Sequence, residues 1–301
     1  MTWRDLRREA ADRLEASLGG SRTQEARWLV ERVSGYSSTE LILNETEYVS
    51  ARSVSFFDGL LVRRCSGEPL QYVLGRWSFR SLELVVNPSV LIPRPETEMV
   101  AGLAIEAAAA AVQKLSSTRE AVGPPEHRVV AVDLGTGSGA IALSIVVEVP
   151  GVTVWGTDAS PAALATARAN LAGLGREATR AMMSEGSWFH ALPSDLQGSI
   201  DVLVSNPPYV AESARSGMSR DVLDFEPHAA LFAEHDGTAD LAHIIMNAPV
   251  WMRAGGTLVL EMSPEQTEWA SRRMAEVGLV EICVHSDFAD RPRAVVGKKP
   301  A

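Results

Sequence analysis

The sequence predicts an α/β protein in which a small helical domain precedes a doubly wound, mostly parallel sheet that ends in an antiparallel strand. Two observations predict this. Up to about residue 65, apolar side chains recur three or four residues apart, as on one face of a helix. After residue 127, short runs of Val, Ile and Leu alternate with helical stretches. Such alternation is typical of a parallel sheet with crossover helices on both faces.

The length and composition limit the class of protein. A chain of 301 residues favours two domains, and 46% hydrophobic with 22% charged residues is typical of a soluble globular protein. The formal net charge of −10 argues against a broad, sequence-independent grip on phosphates. No uninterrupted apolar run of about 18 residues and no apolar signal-peptide centre occur, so we expect a cytoplasmic protein without a membrane partner.

Cysteine and histidine usage bears on metals and disulfides. The two cysteines, Cys65 and Cys283, lie far apart and outside any Cys-x-x-Cys spacing. The six histidines are scattered without metal-ligand spacing. We therefore expect neither a disulfide nor a metal site, and we expect both thiols to be buried.

Residues 1–75 are predicted to form the helical domain, with Gly19, Gly20 and Gly35 as breaks between helices. Residues 76–97 are predicted to form a hairpin-like connector. Its strand-like segments, 79–86 and 89–92, flank a turn at Asn87-Pro88.

The third predicted segment, residues 98–301, is the catalytic domain. A helix is expected from Glu96 into the alanine run 107–111, followed by a surface loop from 116 to 127. Two strand-like runs close the chain, separated by a short loop and therefore antiparallel. The expected strands are 129–134, 152–157, 202–205, 257–262, 281–287 and 294–298, and the expected helices between the first four are 140–147, 161–171 and 241–252.

A glycine-rich turn follows the first of these strands and opens the next helix. Its sequence is Asp-Leu-Gly-Thr-Gly-Ser-Gly, residues 133–139. Glycines allow positive φ and let a ligand approach the backbone closely. Asp158 ends the second strand, where its carboxylate can accept both ribose hydroxyls of an adenosine. A purely structural glycine turn is the alternative.

The same pattern serves NAD as well as S-adenosylmethionine, because Gly135-x-Gly137-x-x-Ala140 also fits the loose dinucleotide pattern. Two features favour the methyl donor. Asp133 lies two residues before the first glycine, which is typical of methyltransferases, and this cationic donor has no pyrophosphate that needs the helix N-terminus. The second feature is Asn206.

Asn206-Pro207-Pro208-Tyr209 follows a strand at the edge where open α/β sheets bind ligands. The two prolines fix the backbone and remove two N–H donors. The Asn206 side-chain oxygen and the Pro207 carbonyl could then accept both hydrogens of a substrate –NH2, while Tyr209 packs on its planar face. A proline-stiffened strand exit without chemistry is the alternative.

This loop predicts methylation of a planar nitrogen. Holding both N–H bonds turns the lone pair of an amide nitrogen toward the methyl group, and ideal alignment contributes on the order of 7 kcal/mol. The tetrapeptide holds no Asp, Glu, Lys or His, so we expect no dedicated general base. Adenine, cytosine, guanine and glutamine all present such an –NH2, and an inactive cofactor-binding module is a further alternative.

Several longer motifs add a resemblance. With these motifs the chain resembles the PrmC (HemK) family of protein-glutamine methyltransferases from about residue 65 onward. The specific part is Pro-Arg-Pro-Glu-Thr-Glu, because we know of no nucleic-acid methyltransferase with the same tetrapeptide that carries it. The motifs are Glu-Pro-Leu-Gln-Tyr at 68–72, Pro-Arg-Pro-Glu-Thr-Glu at 93–98, the glycine-rich turn, Asp-Ala-Ser-Pro at 158–161, Asn-Pro-Pro-Tyr at 206–209, Leu-Glu-Met at 260–262 and Gln266.

The resemblance implies a Rossmann-like class I methyltransferase that methylates the glutamine in the Gly-Gly-Gln loop of class I peptide chain release factors. The helical domain would recognise this protein substrate. A DNA or RNA methyltransferase acting on a base amine is the alternative function. By position, the donor S-adenosylmethionine would be held by Gly135, Thr136, Gly137, Ser138, Gly139, Asp158, Trp188 and Asn206, and the glutamine by Asn206, Pro207, Pro208 and Tyr209.

Two positions depart from the family pattern. Ser187 stands where relatives often have Asp, so a carboxylate near the adenine amine is either missing or supplied by Glu185. Glu234-His235 replaces an expected glycine pair. Trp188, which the resemblance puts beside the adenine, could equally be a core residue.

Overall fold

The computed structural model describes residues 1–117 and 128–301. The chain forms two compact units, one of Met1–Trp77 with Met218–Phe225 and the other of Ser78–Gly217 with Glu226–Ala301. The expected surface loop at 116–127 falls largely on residues 118–127, which lie outside the described residues. Ser116 and Ser117 belong to a helix, so the loop prediction was wrong for these two residues.

The first unit is helical, as predicted. Thr2 caps the first helix by accepting from the backbone N–H of Asp5, and Gly19 and Gly35 end the first two helices with positive φ. One apolar stripe per helix packs into a shared core. The helices are α1 (Trp3–Leu18), α2 (Thr23–Ser34), α3 (Ser38–Leu43), α4 (Ala51–Cys65) and α5 (Leu70–Leu74).

The connector contains a hairpin, but not where the sequence predicted it. Strands β1 (Arg76–Phe79) and β2 (Leu82–Val85) pair across a two-residue turn that begins at Arg80, which has φ of 51°. Residues 89–92 form no strand. The Asn87 side chain accepts from the N–H of Ser89 and thereby closes a turn that ends the extended segment.

The second unit holds a seven-stranded sheet with the strand order β10-β11-β9-β6-β3-β4-β5. Its predicted strands and helices are confirmed to within a few residues, apart from β9, which begins five residues early. The elements are α6 (Pro95–Ser117), β3 (Val129–Leu134), α7 (Ala140–Glu148), β4 (Val152–Asp158), α8 (Pro161–Ala172), β5 (Ala181–Glu185), β6 (Ile200–Ser205), β7 (Val210–Ala211), α9 (Arg220–Phe225, grouped with the first unit), β8 (Phe232–Ala233), α10 (Glu234–Gly237), α11 (Ala239–Trp251), β9 (Met252–Glu261), α12 (Thr267–Glu276), β10 (Val280–Ser286) and β11 (Pro292–Lys298).

Strand direction follows the expected pattern. Strand β3 is parallel to its neighbours β4 and β6. Strand β4 is also parallel to β5, and β6 is parallel to β9. Strand β11 is antiparallel to both β9 and β10. The sheet is therefore Rossmann-like with the predicted antiparallel strand near the C-terminus.

Both faces of the sheet are covered. Successive side chains of a strand point to opposite faces, so Val129 and Ala131 of β3 join one core while Val130 and Val132 join the other. Helices α6 and α7 contribute to the first core and α11 and α12 to the second. This doubly wound arrangement leaves the carboxyl ends of the strands free for a site.

Helix α6 is long and apolar enough to cross a membrane by length and composition alone. Its residues Val100, Ala101, Ala104 and Ala108 are fully buried in the core beside the sheet. Packing against the sheet buries this one face of the helix, and the expected alanine helix is confirmed.

The expectation of two buried thiols was wrong. Cys65 is half-buried at the end of α4, and Cys283 is exposed on the edge strand β10. Strand β10 lies at the edge of the sheet, and none of its seven residues is fully buried.

Candidate active site

A cavity of about 410 Å³ lies at the carboxyl edge of the sheet. Its walls come from the segments that directly follow β3, β4, β5 and β6, from the end of the connector, from the segment 227–230 and from Asp240. This size lies within the range of roughly 300–1,000 Å³ found for small-molecule pockets. All the residues that line it belong to the second unit.

The glycine-rich turn forms the floor of this cavity. Gly135, Gly137 and Gly139 have φ of 72°, 56° and 86°, a region that side chains rarely adopt. Gly135, Thr136, Gly137 and Ser138 line the cavity. Gly139 does not; it caps α7, where an added Cβ would lie 3.0 Å from the Leu143 side chain.

Two carboxylates hold the turn in place. Asp133 accepts from the Thr136 hydroxyl at 2.6 Å and from the Ala142 N–H at 3.1 Å. Burial raises the pKa of Asp133 to about 7, against the opposing effect of these two hydrogen bonds. Its Oδ1 is buried and has no hydrogen-bond partner within the described part of the chain. This oxygen is free to accept from a ligand in the cavity.

Asp158 ends β4, as expected, and lines the cavity. Its Oδ2 accepts from the Gly137 N–H and its Oδ1 from the Ser160 N–H, both at 2.9 Å. These backbone bonds fix the carboxylate, and each oxygen keeps a second lone pair for a ligand hydroxyl.

Trp188 follows β5 and has φ of 49°, which turns its ring over the glycine turn. An added Cβ on Gly135 would lie 3.6 Å from that ring. Ser187 and Trp188 both line the cavity, whereas Glu185 is exposed and is not among the lining residues. The carboxyl group in this wall belongs to Asp240, a residue that the sequence did not single out. Burial raises the pKa of Asp240, partly offset by its interaction with the Trp188 indole.

The Asn-Pro-Pro-Tyr loop leaves the end of β6, where the Ser205 hydroxyl donates to the Leu134 carbonyl at 2.6 Å. Asn206 and Pro208 line the cavity, and Pro207 is buried behind them. The Asn206 Nδ2 donates to the Thr97 hydroxyl at 3.2 Å. The other end of the amide, Oδ1, is thereby left as an acceptor in the cavity wall.

Tyr209 is not among the residues that line the cavity; its hydroxyl donates to Oε1 of Glu261 at 3.3 Å. Its carbonyl accepts from the Gln266 side chain at 3.0 Å. Burial raises the pKa of Tyr209, so its phenol stays protonated. The backbone on the far side is Gly237, where an added Cβ would lie 2.2 Å from the Tyr209 carbonyl oxygen.

Two ion pairs tie the connector to the catalytic unit. Arg94 pairs with Glu226, whose Oε2 also accepts from the Ile92 N–H at 3.2 Å. Glu96 pairs with Arg291 at 2.8 Å. The polar residues of the Pro-Arg-Pro-Glu-Thr-Glu segment thus stabilise the wall of the cavity through Arg94 and Thr97.

Within residues 1–117 and 128–301, no group of three or more His, Cys, Asp or Glu side chains is arranged to hold a metal ion. The acceptors that line the cavity are carboxylate, amide and backbone oxygens. Such a set can hold the hydroxyl and amino groups of an organic cofactor.

The match to known families agrees with this geometry. Residues 5–75 match the family model of the PrmC N-terminal domain, and residues 112–223 match that of the methyltransferase small domain. The seven-stranded Rossmann-like sheet, with its glycine turn and Asn-Pro-Pro-Tyr loop at one edge, defines the chain as a methyltransferase.

Relatives define the class more narrowly. The chain is 37% identical over 265 residues to the release factor glutamine methyltransferase of Bordetella pertussis, covering 88% of this chain and 90% of the relative. The corresponding protein of Vibrio cholerae is 34% identical over 289 residues, covering 96% and 94%. The chain belongs to the family of release factor glutamine methyltransferases.

A similar solved structure is a release factor-specific protein-(glutamine-N5) methyltransferase from Alicyclobacillus acidocaldarius. It is 24% identical, covers 72% of this chain and 99% of that chain, and has a TM-score of 0.39. A methyltransferase from Pyrococcus furiosus is 15% identical with a TM-score of 0.46, covering 73% of this chain and 90% of that chain.

Proposed function

We propose that this chain transfers a methyl group from S-adenosylmethionine to the side-chain amide nitrogen of the glutamine in the Gly-Gly-Gln loop of class I peptide chain release factors. The observation that carries the proposal is the orientation of Asn206. Its Nδ2 donates to Thr97, so its Oδ1 is the atom available to a substrate –NH2. Family membership supports glutamine as the residue that carries this –NH2 group.

The cavity fits the donor. The unpaired Oδ1 of Asp133 would accept from the ammonium group of the methionine part, and this contact would favour the ionised form of Asp133. Asp158 would accept from the ribose hydroxyls with its remaining lone pairs. The turn from Gly135 to Gly139 and the Trp188 ring would enclose the rest.

The chemistry then depends on positioning. S-adenosylmethionine supplies a methyl group on a positively charged sulfur and is converted to S-adenosylhomocysteine. Asn206 Oδ1 and the Pro207 carbonyl would accept the two amide hydrogens, which turns the nitrogen lone pair toward the methyl carbon. As the N–C bond forms and the C–S bond breaks, the nitrogen loses one proton, which leaves to solvent.

The remaining assignments complete the proposal. Residues 1–75 would recognise the release factor, residues 76–97 would connect the domains, and residues 98–301 would catalyse transfer. Pro208 and Tyr209 would pack around the glutamine from the loop. We place the reaction in the cytoplasm, where translation termination occurs, with the release factor as its protein partner and no nucleic acid held stably.

The test is transfer of labelled methyl from S-adenosylmethionine to a purified release factor and, separately, to its Gly-Gly-Gln variant with Gln→Ala. We expect label on the first factor only, located at the glutamine by peptide mass. Duplex DNA and RNA serve as additional acceptors and should remain unlabelled. Equal labelling of both factors would show that another group is methylated, and labelling of nucleic acid alone would favour a base amine.

A further inference from the structure

A buried polar network lies behind the Asn-Pro-Pro-Tyr loop. Asn206 Nδ2 donates to the Thr97 hydroxyl, and the Tyr209 hydroxyl donates to Glu261. Thr97, which lines the cavity, is 4% exposed and Glu261 is 1% exposed, so both side chains are almost fully buried. The network therefore joins the loop to the start of α6 and to the end of β9 through side chains alone.

Glu261 is the charged member of this network. Burial raises its pKa to about 7. The hydroxyls of Thr97 and Tyr209 and the charge of Arg293 act in the opposite direction, while the charge of Glu96 adds to the increase. Glu261 Oε2 and Arg293 Nε are buried without a hydrogen-bond partner in the part of the chain that the structure describes.

The Thr97 hydroxyl interacts with the Glu261 carboxyl group, and the ionised form of Glu261 fixes which way this hydroxyl points. An ionised carboxylate can only accept hydrogen bonds, so Thr97 then directs its hydrogen to Glu261. The lone pairs of the Thr97 oxygen are left for Asn206, which must present its –NH2 end to Thr97. The opposite orientation would place two acceptors, Asn206 Oδ1 and the Thr97 oxygen, against each other.

We propose that Thr97 and Glu261 are positioning residues for methyl transfer, which together hold the amide of Asn206 with its Oδ1 facing the substrate when Glu261 is ionised. This inference rests on the proposed role of Asn206 as acceptor for the substrate amide. Neither residue touches the reacting atoms. Their effect on transfer is exerted through the direction of one side-chain amide.

The first test compares Thr97→Val with Thr97→Ser. Valine has nearly the same shape but lacks the hydroxyl, so kcat for the release factor should fall by about tenfold, while the dissociation constant of S-adenosylmethionine measured by calorimetry stays unchanged. Serine keeps the hydroxyl and should restore most of kcat. Equal losses in both variants, or full kcat in the valine variant, would overturn the proposal.

The second test follows pH. Wild-type kcat at saturating donor should fall as the pH drops below about 7, and this decrease should be smaller in Glu261→Gln. Asp133 titrates in the same range but is present in both proteins, so the difference between them belongs to Glu261. The same decrease in both proteins would refute a role for the Glu261 charge.

A third measurement needs no substrate. The side-chain –NH2 signal of Asn206 in a ¹⁵N spectrum, assigned by its loss in Asn206→Ala, should shift with pH in the wild type and stay constant in Glu261→Gln. A constant wild-type signal overturns the positioning role. Absence of methyl transfer to the release factor, together with a shifting signal, would instead overturn the proposed function and leave the network intact.

Discussion

Asn206 is the residue on which the proposed reaction depends most. In Asn206→Ala the acceptor for one substrate N–H bond is removed, and the rate should fall by about 10²–10³-fold, as when one aligned polar group is taken from an active site. The contacts expected for the donor come from the glycine turn and Asp158, so the donor affinity should change little. Single-turnover transfer and calorimetry separate these effects, and Asn247→Ala, at a position that does not line the cavity, is the matched control. Loss of donor binding in Asn206→Ala would make Asn206 mainly a cofactor ligand.

Glu261 should leave a signature in stability as well as in activity. Its pKa rises from 4.5 in the unfolded chain to about 7 in the fold, so between these values the folded state binds more protons than the unfolded state. The free energy of unfolding therefore falls as the pH rises through this window, by up to about 3 kcal/mol. This loss of stability, caused by burial of the ionised carboxylate, is complete above pH 7 and absent below pH 4.5.

Urea unfolding of the wild type and of Glu261→Gln at about pH 5 and about pH 8 measures this contribution. The glutamine variant should gain stability relative to the wild type on going from the lower to the higher pH. Asp133 titrates similarly in both proteins and cancels in the comparison. A pH-independent difference between the two proteins would show that Glu261 keeps an ordinary pKa.

At the scale of elements, the sequence predicted those whose apolar pattern is strong. Strands β3 and β6 are buried on both faces and appear as continuous apolar runs. Strand β5 was missed because it is an edge strand with few fully buried side chains, and α12 because it is polar apart from one narrow stripe. The periodicity of apolar residues reflects which side chains are buried, and β5 and α12 bury few side chains.

The same limit applies to the site. The glycine turn and Asn206 were predicted because each motif is local in the sequence and its chemistry follows from its residues. Thr97 lies 109 positions from Asn206, and Asp240 reaches the cavity from a separate helix. Contacts between such distant positions depend on the three-dimensional fold, so no spacing along the chain could reveal them. Thr97 belongs to the Pro-Arg-Pro-Glu-Thr-Glu motif, but the motif did not predict its contact with Asn206.

Helix α10 tests how closely one element must pack against the catalytic loop. In Gly237→Ala the new Cβ would meet the Tyr209 carbonyl oxygen at 2.2 Å, at a φ of 81°. We expect a loss of about 3 kcal/mol in stability and at least a tenfold loss of transfer, because the loop must move. Thermal unfolding and initial rates measure the two effects.

The neighbouring His235 is the matched control. It has φ of 54° and an exposed side chain. His235→Gly should raise stability by up to about 1 kcal/mol and leave transfer unchanged, because it relieves a left-handed conformation without adding an atom. If both substitutions act alike, the effect belongs to the flexibility of α10 and not to its contact with Tyr209.

At the scale of the whole molecule, the proposed function assigns binding of the release factor and methyl transfer to separate parts of the chain. Every residue that lines the cavity lies in the second unit. Large apolar side chains are exposed on both units, including Leu43 at 76% and Tyr48 at 86% on the first and Phe288 at 89% on the second. Exposed apolar groups that lie close together favour contact with another protein. The net charge of −10 likewise favours a protein surface over the phosphates of a nucleic acid as partner.

This division predicts how substrate size matters. Replacing Leu43 and Tyr48 together by serine should raise KM for an intact release factor by about tenfold, the effect of losing one well-packed apolar contact. It should leave the methylation of a short Gly-Gly-Gln peptide unchanged, because Leu43 and Tyr48 are not among the residues that line the cavity. Met246→Ser is the matched control, since Met246 is 63% exposed in the second unit. If methylation of the release factor and of the peptide decreased equally, the substitutions would have affected folding. If KM for the release factor were unchanged, recognition would involve another surface.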